Sequence, residues 1–315
     1  MSALMKVSSN PHVRVKDTTS RIMLTVIIAL LPTTLFGIYN FGVKAALLVA
    51  ISIASAVLTE FLFEKICKKK VTVGDLSAVV TGLLLALNLP VSVPWWIPVV
   101  GSVFAILVVK MLFGGLGQNF MNPALAGRCF LLISFSSLMT NFECAAYSGP
   151  TPLASLKAGE GVNVMDMIIG RTAGTIGETS MIAIVIGACI LILAGIIDLK
   201  VPGSYLVSFV LFVALFASLS GRTVTGPYLS AQLAGGGLML GAFFMATDYV
   251  TAPVTRWGQV IYAALIGFLT AFIRLFGGSA EGMSYAIIIS NLLTPLIEKL
   301  TAPRPFGLEK KEAAR

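Results

Sequence analysis

Charged residues interrupt this chain only at wide intervals. Between them lie uncharged runs: Ile22–Val43, Ala45–Thr59, Leu76–Val109, Met111–Gly127, Cys129–Phe142, Met181–Ile197, Val201–Gly221, Thr223–Thr247, Trp257–Ile273 and Met283–Ile297. A bilayer-crossing helix needs about 20 apolar residues, so most runs match one crossing. Leu76–Val109 is too long for one and divides at Pro90 and Pro94. Met111–Gly127 is rich in glycine and reads partly as a loop feeding a helix that ends near Thr140. The pattern predicts an all-α membrane protein of about ten transmembrane helices.

Composition agrees. Of 315 residues, 57% are hydrophobic and 11% charged, against about 25% charged in a soluble domain, which excludes an ordinary soluble enzyme. A net charge of +8 would suggest nucleic acid in a soluble protein, but here its placement gives it another meaning. Basic residues near helix ends resist translocation. With the N-terminus inside, ten crossings put 17 of the 22 Lys and Arg residues on the cytoplasmic side, leaving only Lys44, Lys157, Arg171, Arg222 and Arg274 outside. Both termini are therefore expected in the cytoplasm, the partner is the lipid bilayer, and no nucleic acid is expected. No cleavable signal peptide is expected, because the first twenty residues are polar.

Ten crossings form two sets of five, and an odd number per set inverts one relative to the other. The expected segments are 1–21, a cytoplasmic N-terminal piece; 22–140, a first five-helix repeat; 141–180, an extracytoplasmic loop; 181–298, a second five-helix repeat; and 299–315, a basic cytoplasmic tail. A trace of the repeat is visible: Leu76-Ser77-Ala78 with Gly82, Leu85 and Leu87 matches Leu229-Ser230-Ala231 with Gly235, Leu238 and Leu240 at constant offset. Paired interrupted segments of this kind point to midplane sites.

Cys67, Cys129, Cys144 and Cys189 have no metal-ligand spacing, and His12 is the only histidine. No metal ligand and no catalytic residue are expected, and buried carboxylates are expected to be almost absent. Three polar clusters remain. The first, Gly114 to Ala124 with Arg128, offers Asn119, Asn122 and the guanidinium of Arg128 at a helix start that can face an anionic or carbonyl-rich ligand; the alternative is a capped helix with a snorkelling arginine. The second, Ala246 to Thr255, places Asp248 among hydroxyls, where it can bind a ligand or merely cap a helix. The third, Tyr147-Ser148-Gly149-Pro150-Thr151-Pro152-Leu153-Ala154, holds a hydroxyl on a rigid turn, which is equally the make-up of an ordinary surface turn.

These clusters, with SSNPHVRVKDTTSRIMLTVIIALLP, DLSAVVTGLLLALNLP, GGLGQNFMNPALAGR, SGPTPLA, GETS, MATDYVTAPVT and EGMSYAIIISNLLTPLIEK, resemble the family of D subunits of Rnf ion-translocating electron-transport complexes. The resemblance extends more distantly to the B subunits of sodium-pumping NADH:quinone reductases. It implies a ten-helix inverted repeat and FMN joined through its phosphate to Thr151, with Ser148 and Gly149 in the attachment motif and 141–180 as the flavin-attachment loop. Pro150 and Ala145 depart from the family's usual pattern. It also implies a noncovalent riboflavin on the cytoplasmic side, where Asn119, Asn122, Arg128 and Asp248 are expected. The implied partners are a flavin transferase and other Rnf subunits, both flavin-bearing and iron–sulfur, that link ferredoxin to NAD with Na⁺ or H⁺ transport. The implied place is the cytoplasmic (inner) membrane of a prokaryote, as one subunit of a translocating oxidoreductase that is inactive alone. A transporter or channel of inverted-repeat type, or a scaffold without its own redox cofactor, is the competing expectation.

Overall fold

A computed structural model describes residues 18–142, 149–278 and 281–303. Among them the regular structure is helical, apart from one isolated bridge between Pro90 and Thr175. The helices are α1 (Thr19–Phe41), α2 (Val43–Ile66), α3 (Ser77–Leu87), α4 (Trp96–Met111), α5 (Pro123–Ser134), α6 (Ser136–Met139), α7 (Pro152–Ala158), α8 (Val164–Ile169), α9 (Met181–Leu193), α10 (Lys200–Leu219), α11 (Gly226–Ala234), α12 (Leu238–Met245), α13 (Arg256–Phe276) and α14 (Met283–Thr301).

By length and composition, α1, α2, α10 and α13 can each cross a membrane, and α11 with α12 makes a fifth candidate bent by 61°. The helices α3, α4, α5 and α9 are shorter apolar elements. Each uncharged run thus contains helix, but the uniform full-length crossings expected from the runs are not what forms.

Local chemistry sets the boundaries. Side chains of Thr18, Asn122, Thr151, Ser180, Thr225 and Thr255 accept hydrogen bonds from the first turns of α1, α5, α7, α9, α11 and α13, satisfying amides that have no partner inside a helix. Gly42, at φ 76°, separates α1 from α2.

Large apolar side chains lie on the outside of the bundle as well as in its core. α1 buries Ala29, Leu30, Thr33, Thr34 and Gly37 and exposes Leu24, Ile28, Leu31 and Leu35; α10 buries Tyr205, Phe209 and Val213 and exposes Val207, Leu211 and Leu215. Large apolar residues outside, with small residues where helices meet, suit helices in lipid, where close backbone approach drives association. One such approach sets α9 on α1: a Cβ on Gly187 would lie 2.1 Å from the Ala29 carbonyl oxygen. Gly187→Ala must push the two backbones apart, at an expected cost of about 1–3 kcal/mol. A fall in the thermal unfolding temperature of the detergent-solubilised chain measures it, and no fall would refute the contact.

The starts of α1 to α5 recur, in order, as the starts of α9, α10, α12, α13 and α14 about 160 residues later. α3 and α12 occupy equivalent places, and both are almost wholly buried. Each is entered through a left-handed residue with φ 65° and ψ 5°: Leu76 before α3 and Gly237 before α12. The register therefore differs from the Leu-Ser-Ala match in the sequence. Gly82 lies inside α3 against Ser52 of α2, whereas Gly235 lies in the α11–α12 break.

Candidate functional site

Cavities lie at opposite ends of the bundle. At the end where Ser20 bonds the Gly74 carbonyl, a cavity of about 110 Å³ is lined by apolar side chains of α1, α3 and α9 and by Lys110, Asn119, Asn122 and Asp248. The Asn122 carbonyl oxygen accepts from the Ala124 and Leu125 amides and so caps α5, while its Nδ2 donates to the Met245 carbonyl at 3.3 Å. Asp248 receives the Val250 amide at 3.4 Å and the Thr251 hydroxyl at 3.2 Å. Burial raises its pKa from the ordinary aspartate value, while those donors and Asn119 pull the other way. The structure thus brings together Asn119, Asn122 and Asp248 at one cavity.

Arg128 is elsewhere. It sits six residues beyond Asn122 on α5, about 9 Å along the axis, where its Nη1 donates to Asn88 Oδ1 at 2.6 Å and to Glu178 Oε1 at 3.0 Å, and its Nη2 pairs with Glu281. The sequence grouped Arg128 with Asn119 and Asn122 on the cytoplasmic side, but with α5 opening at Pro123 it stands more than a turn into the helix. Lys110 and Arg274 are also buried rather than serving as flanking charges. Setting these three residues aside leaves the basic asymmetry of the sequence in the same direction.

Buried carboxylates are likewise more common than the sequence implied. Glu60 and Glu64 are enclosed at the end of α2, Lys110 Nζ lies 2.7 Å from Glu60 Oε2 and 2.6 Å from Ser77 Oγ, and the Thr72 amide donates to Glu64. Removing one member of a buried ion pair costs about 3–5 kcal/mol, whereas replacing both by apolar groups is often neutral. Lys110→Met is therefore expected to be strongly destabilised, and Lys110→Met/Glu60→Leu to recover most of that loss in thermal unfolding. Equal instability of the two variants would show that the pair is not the cause.

At the opposite end, Thr151 caps α7, its Oγ1 accepting from the Ala154 amide at 3.4 Å. It opens on a cavity of about 710 Å³ whose walls include Gly149, Met139, Phe142, Glu281 and Tyr285. Gly149 has φ 143° and open space where a Cβ would stand. Ser148, with Ala145, falls outside the described residues. A second cleft beside Thr151 reaches Glu178 and Gly235. Glu178 is wedged in the α11–α12 break: a Cβ on Gly237 would stand 2.1 Å from its Oε1. Burial, with the neighbouring Glu281 carboxylate, pushes Glu178 up to about 7 against the pull of Arg128. Arg274 closes the break from α13. Its Nη1 donates to the Gln232 carbonyl at 2.6 Å, its Nη2 to those of Gly235 and Gly236 at 2.9 and 3.2 Å, and its Nε to that of Glu281 at 3.0 Å.

Polar contacts connect the two ends through the middle of the bundle. Asn122 bonds the backbone of Met245, whose sulfur accepts from Asn88 at 3.8 Å, and Asn88 in turn accepts from Arg128. Sequence reasoning missed Glu178, Glu281, Arg274 and Asn88. The first two stood inside the GETS and EGMS blocks, but no local spacing marked them as partners of Arg128. No group of three or more His, Cys, Asp or Glu able to hold a metal occurs among the described residues, and Cys67, Cys129 and Cys189 are free thiols.

Comparison with known proteins gives one consistent result. Residues 6–307 match the NQR2, RnfD, RnfE family. The chain is 50% identical to the D subunit of the Na⁺-translocating ferredoxin:NAD⁺ oxidoreductase complex of Acetobacterium woodii, covering 98% of each chain. It is 39% identical to the D subunit of the proton-translocating ferredoxin:NAD⁺ oxidoreductase complex of Clostridium ljungdahlii, over 98% of this chain and 97% of that one. It is also 36% identical to the D subunit of the ion-translocating oxidoreductase complex of Salmonella paratyphi A, over 98% and 99%. The chain belongs to the NQR2, RnfD, RnfE family.

Proposed function

We propose that this chain is the membrane subunit of an ion-translocating ferredoxin:NAD oxidoreductase complex that carries FMN as a phosphate ester on Thr151 Oγ1 and relays electrons to and from other Rnf subunits. The observation that carries the reading is the position of Thr151, a half-buried hydroxyl at the mouth of a cavity of about 710 Å³. That volume lies in the range of cofactor sites, about 300–1,000 Å³. Apolar and aromatic walls at Met139, Phe142 and Tyr285 suit a flat ring system, and Gly149 leaves the approach to the hydroxyl open. FMN, when bound, accepts and passes on electrons singly or in pairs. The chain supplies the rest: Thr151 fixes the phosphate end, α7 and the 141–180 loop restrict its reach, and the cavity walls orient the ring and exclude water.

The same reading takes the helices as ten crossings in an inverted five-plus-five arrangement, with both termini cytoplasmic and Thr151 outside, in the cytoplasmic membrane of a prokaryote. Support comes from successive helix ends meeting alternately at the two ends of the bundle and from the basic asymmetry of the sequence. External placement of Thr151 agrees with attachment by a flavin transferase working on that side. A noncovalent riboflavin at Asn119, Asn122 and Asp248 rests on their donors and acceptors. Their cavity, about 110 Å³, is smaller than an ordinary cofactor site, so binding there requires its walls to part. Free flavin released on acid precipitation would support this second site, and none would eliminate it.

In-gel fluorescence of the denatured polypeptide, produced alongside a flavin transferase, tests the redox reading. A fluorescent band at the mass of this chain is expected. A dark band favours a transporter or channel built on the same fold.

A further inference from the structure

Two carboxylates, Glu178 and Glu281, meet on the single guanidinium of Arg128 at the edge of the Thr151 clefts. Glu178 comes from the loop before α9 and Glu281 from the α13–α14 connection, so the pair forms only when the two halves of the chain pack. The Glu178 side chain is 4% exposed and that of Glu281 19%; the pair therefore has a dry member and a member that reaches the cavity. Like charges so close resist ionising together, and such a dyad titrates in two steps that belong to the pair.

The charged and titratable groups around the pair are Arg128 and Cys129 on α5, Arg274 on α13 and Tyr285 on α14, with Tyr205 and Tyr228 beyond Arg274. Arg274 lends positive field, but its described donors go to the Gln232 side chain and to the carbonyls of Gln232, Gly235, Gly236 and Glu281. Lys157 of α7 bonds the Gly277 carbonyl. The Nε of Arg128 has no hydrogen-bond partner among the described residues. Two carboxylates thus share one guanidinium, and the rise of Glu178 to about 7 agrees with that.

We infer that Glu178 and Glu281 form a proton-holding site whose occupancy rises when the group on Thr151 is reduced. This inference rests on the proposed attachment at Thr151. The balance is simple: a one-electron donor of the complex, a reduced flavin or iron–sulfur cluster, delivers one electron and so adds one negative charge beside the pair. One proton from external water then binds a carboxylate oxygen of Glu178 or Glu281, and it leaves when the electron moves on. Both carboxylates line the narrow cleft beside Thr151, but only Glu281, the more exposed, also lines the large cavity, so Glu281 is the entry point and Glu178 the holding point. The pair offsets charge and is a positioning element for the proton; no bond to the flavin is required of it.

Infrared titration of carboxyl groups tests the site without an activity assay. In the full chain carrying Thr151→Ala, and so free of ester-linked flavin, a carboxylic-acid band is expected to disappear on raising the pH between about 5 and 9. Its midpoint should lie near 7, and Glu178→Gln or Glu281→Gln should each shift or abolish it. Absence of the band, or an identical band in both variants, overturns the inference. In the unsubstituted chain, with attachment verified by mass, reduction at a pH above that midpoint is expected to add intensity to the band by up to one group per chain. No change on reduction overturns the coupling. A chain that gains no flavin mass contradicts the Thr151 reading alone, while the titration of Thr151→Ala still decides whether the pair holds a proton.

Discussion

Arg274→Met is expected to be among the most destabilised single variants of this chain. The residue is 3% exposed and supplies donors to four backbone carbonyls, one in the last turn of α11 and two in the break between α11 and α12. Those carbonyls lack helical partners because the chain turns by 61° there, and in a protein interior an unsatisfied acceptor costs about 1–3 kcal/mol. Water can reach some of them, so a total loss of about 3–5 kcal/mol is expected rather than the sum. The guanidinium also lies over the Phe209 ring at 5.0 Å, which Met cannot replace electrostatically. Arg274→Lys should recover only part of the loss, since a point ammonium cannot span the fork of acceptors. Thermal unfolding in detergent reads both variants. An unfolding temperature like that of the unsubstituted chain for Arg274→Met would mean that the break holds itself.

This clasp matters because the break carries the site. Gly235 and Gly236 line the cleft shared with Thr151, and Gly237 makes room for Glu178. The broken element is held by α13 through Arg274, and the second arginine, Arg128, holds the loop of Glu178 to the Glu281 connection. Non-helical backbone at this depth persists only where protein covers its polar groups, and these two arginines provide that cover.

The architecture was legible where physics is local. Lys44 between two apolar runs fell close to the turn from α1 to α2, Pro90 and Pro94 marked the split between α3 and α4, and the polar cluster Gly114 to Ala124 led into the start of α5. Where pairing is between distant segments, the sequence was silent. Arg128 meets partners 50 and 153 residues away, and Lys110 meets Glu60 across 50; neither spacing leaves a periodic signal. The break at Gly235–Gly237 lay inside one uncharged run, Thr223–Thr247, and hydropathy alone could not distinguish a bent pair from a straight crossing. Thr151 stood out only as a hydroxyl between two prolines, a make-up shared with ordinary turns, until the family blocks gave it meaning.

The proposed function stands or falls with a covalent flavin on Thr151, and substitution there should have an all-or-none effect. No other side chain in the described part of the loop combines a hydroxyl, a helix-capping position and access to the large cavity. Because the lost cap contact is long, 3.4 Å, Thr151→Ala should fold, at a cost of about 1 kcal/mol, so a loss of flavin is not a loss of the protein. Intact-protein mass spectrometry of both chains, each produced alongside a flavin transferase, decides the matter. The unsubstituted chain is expected to be heavier than its sequence by FMN less one water, and Thr151→Ala to have the mass of its sequence alone. Equal masses relative to sequence in the two chains, with or without flavin, would contradict covalent attachment at Thr151.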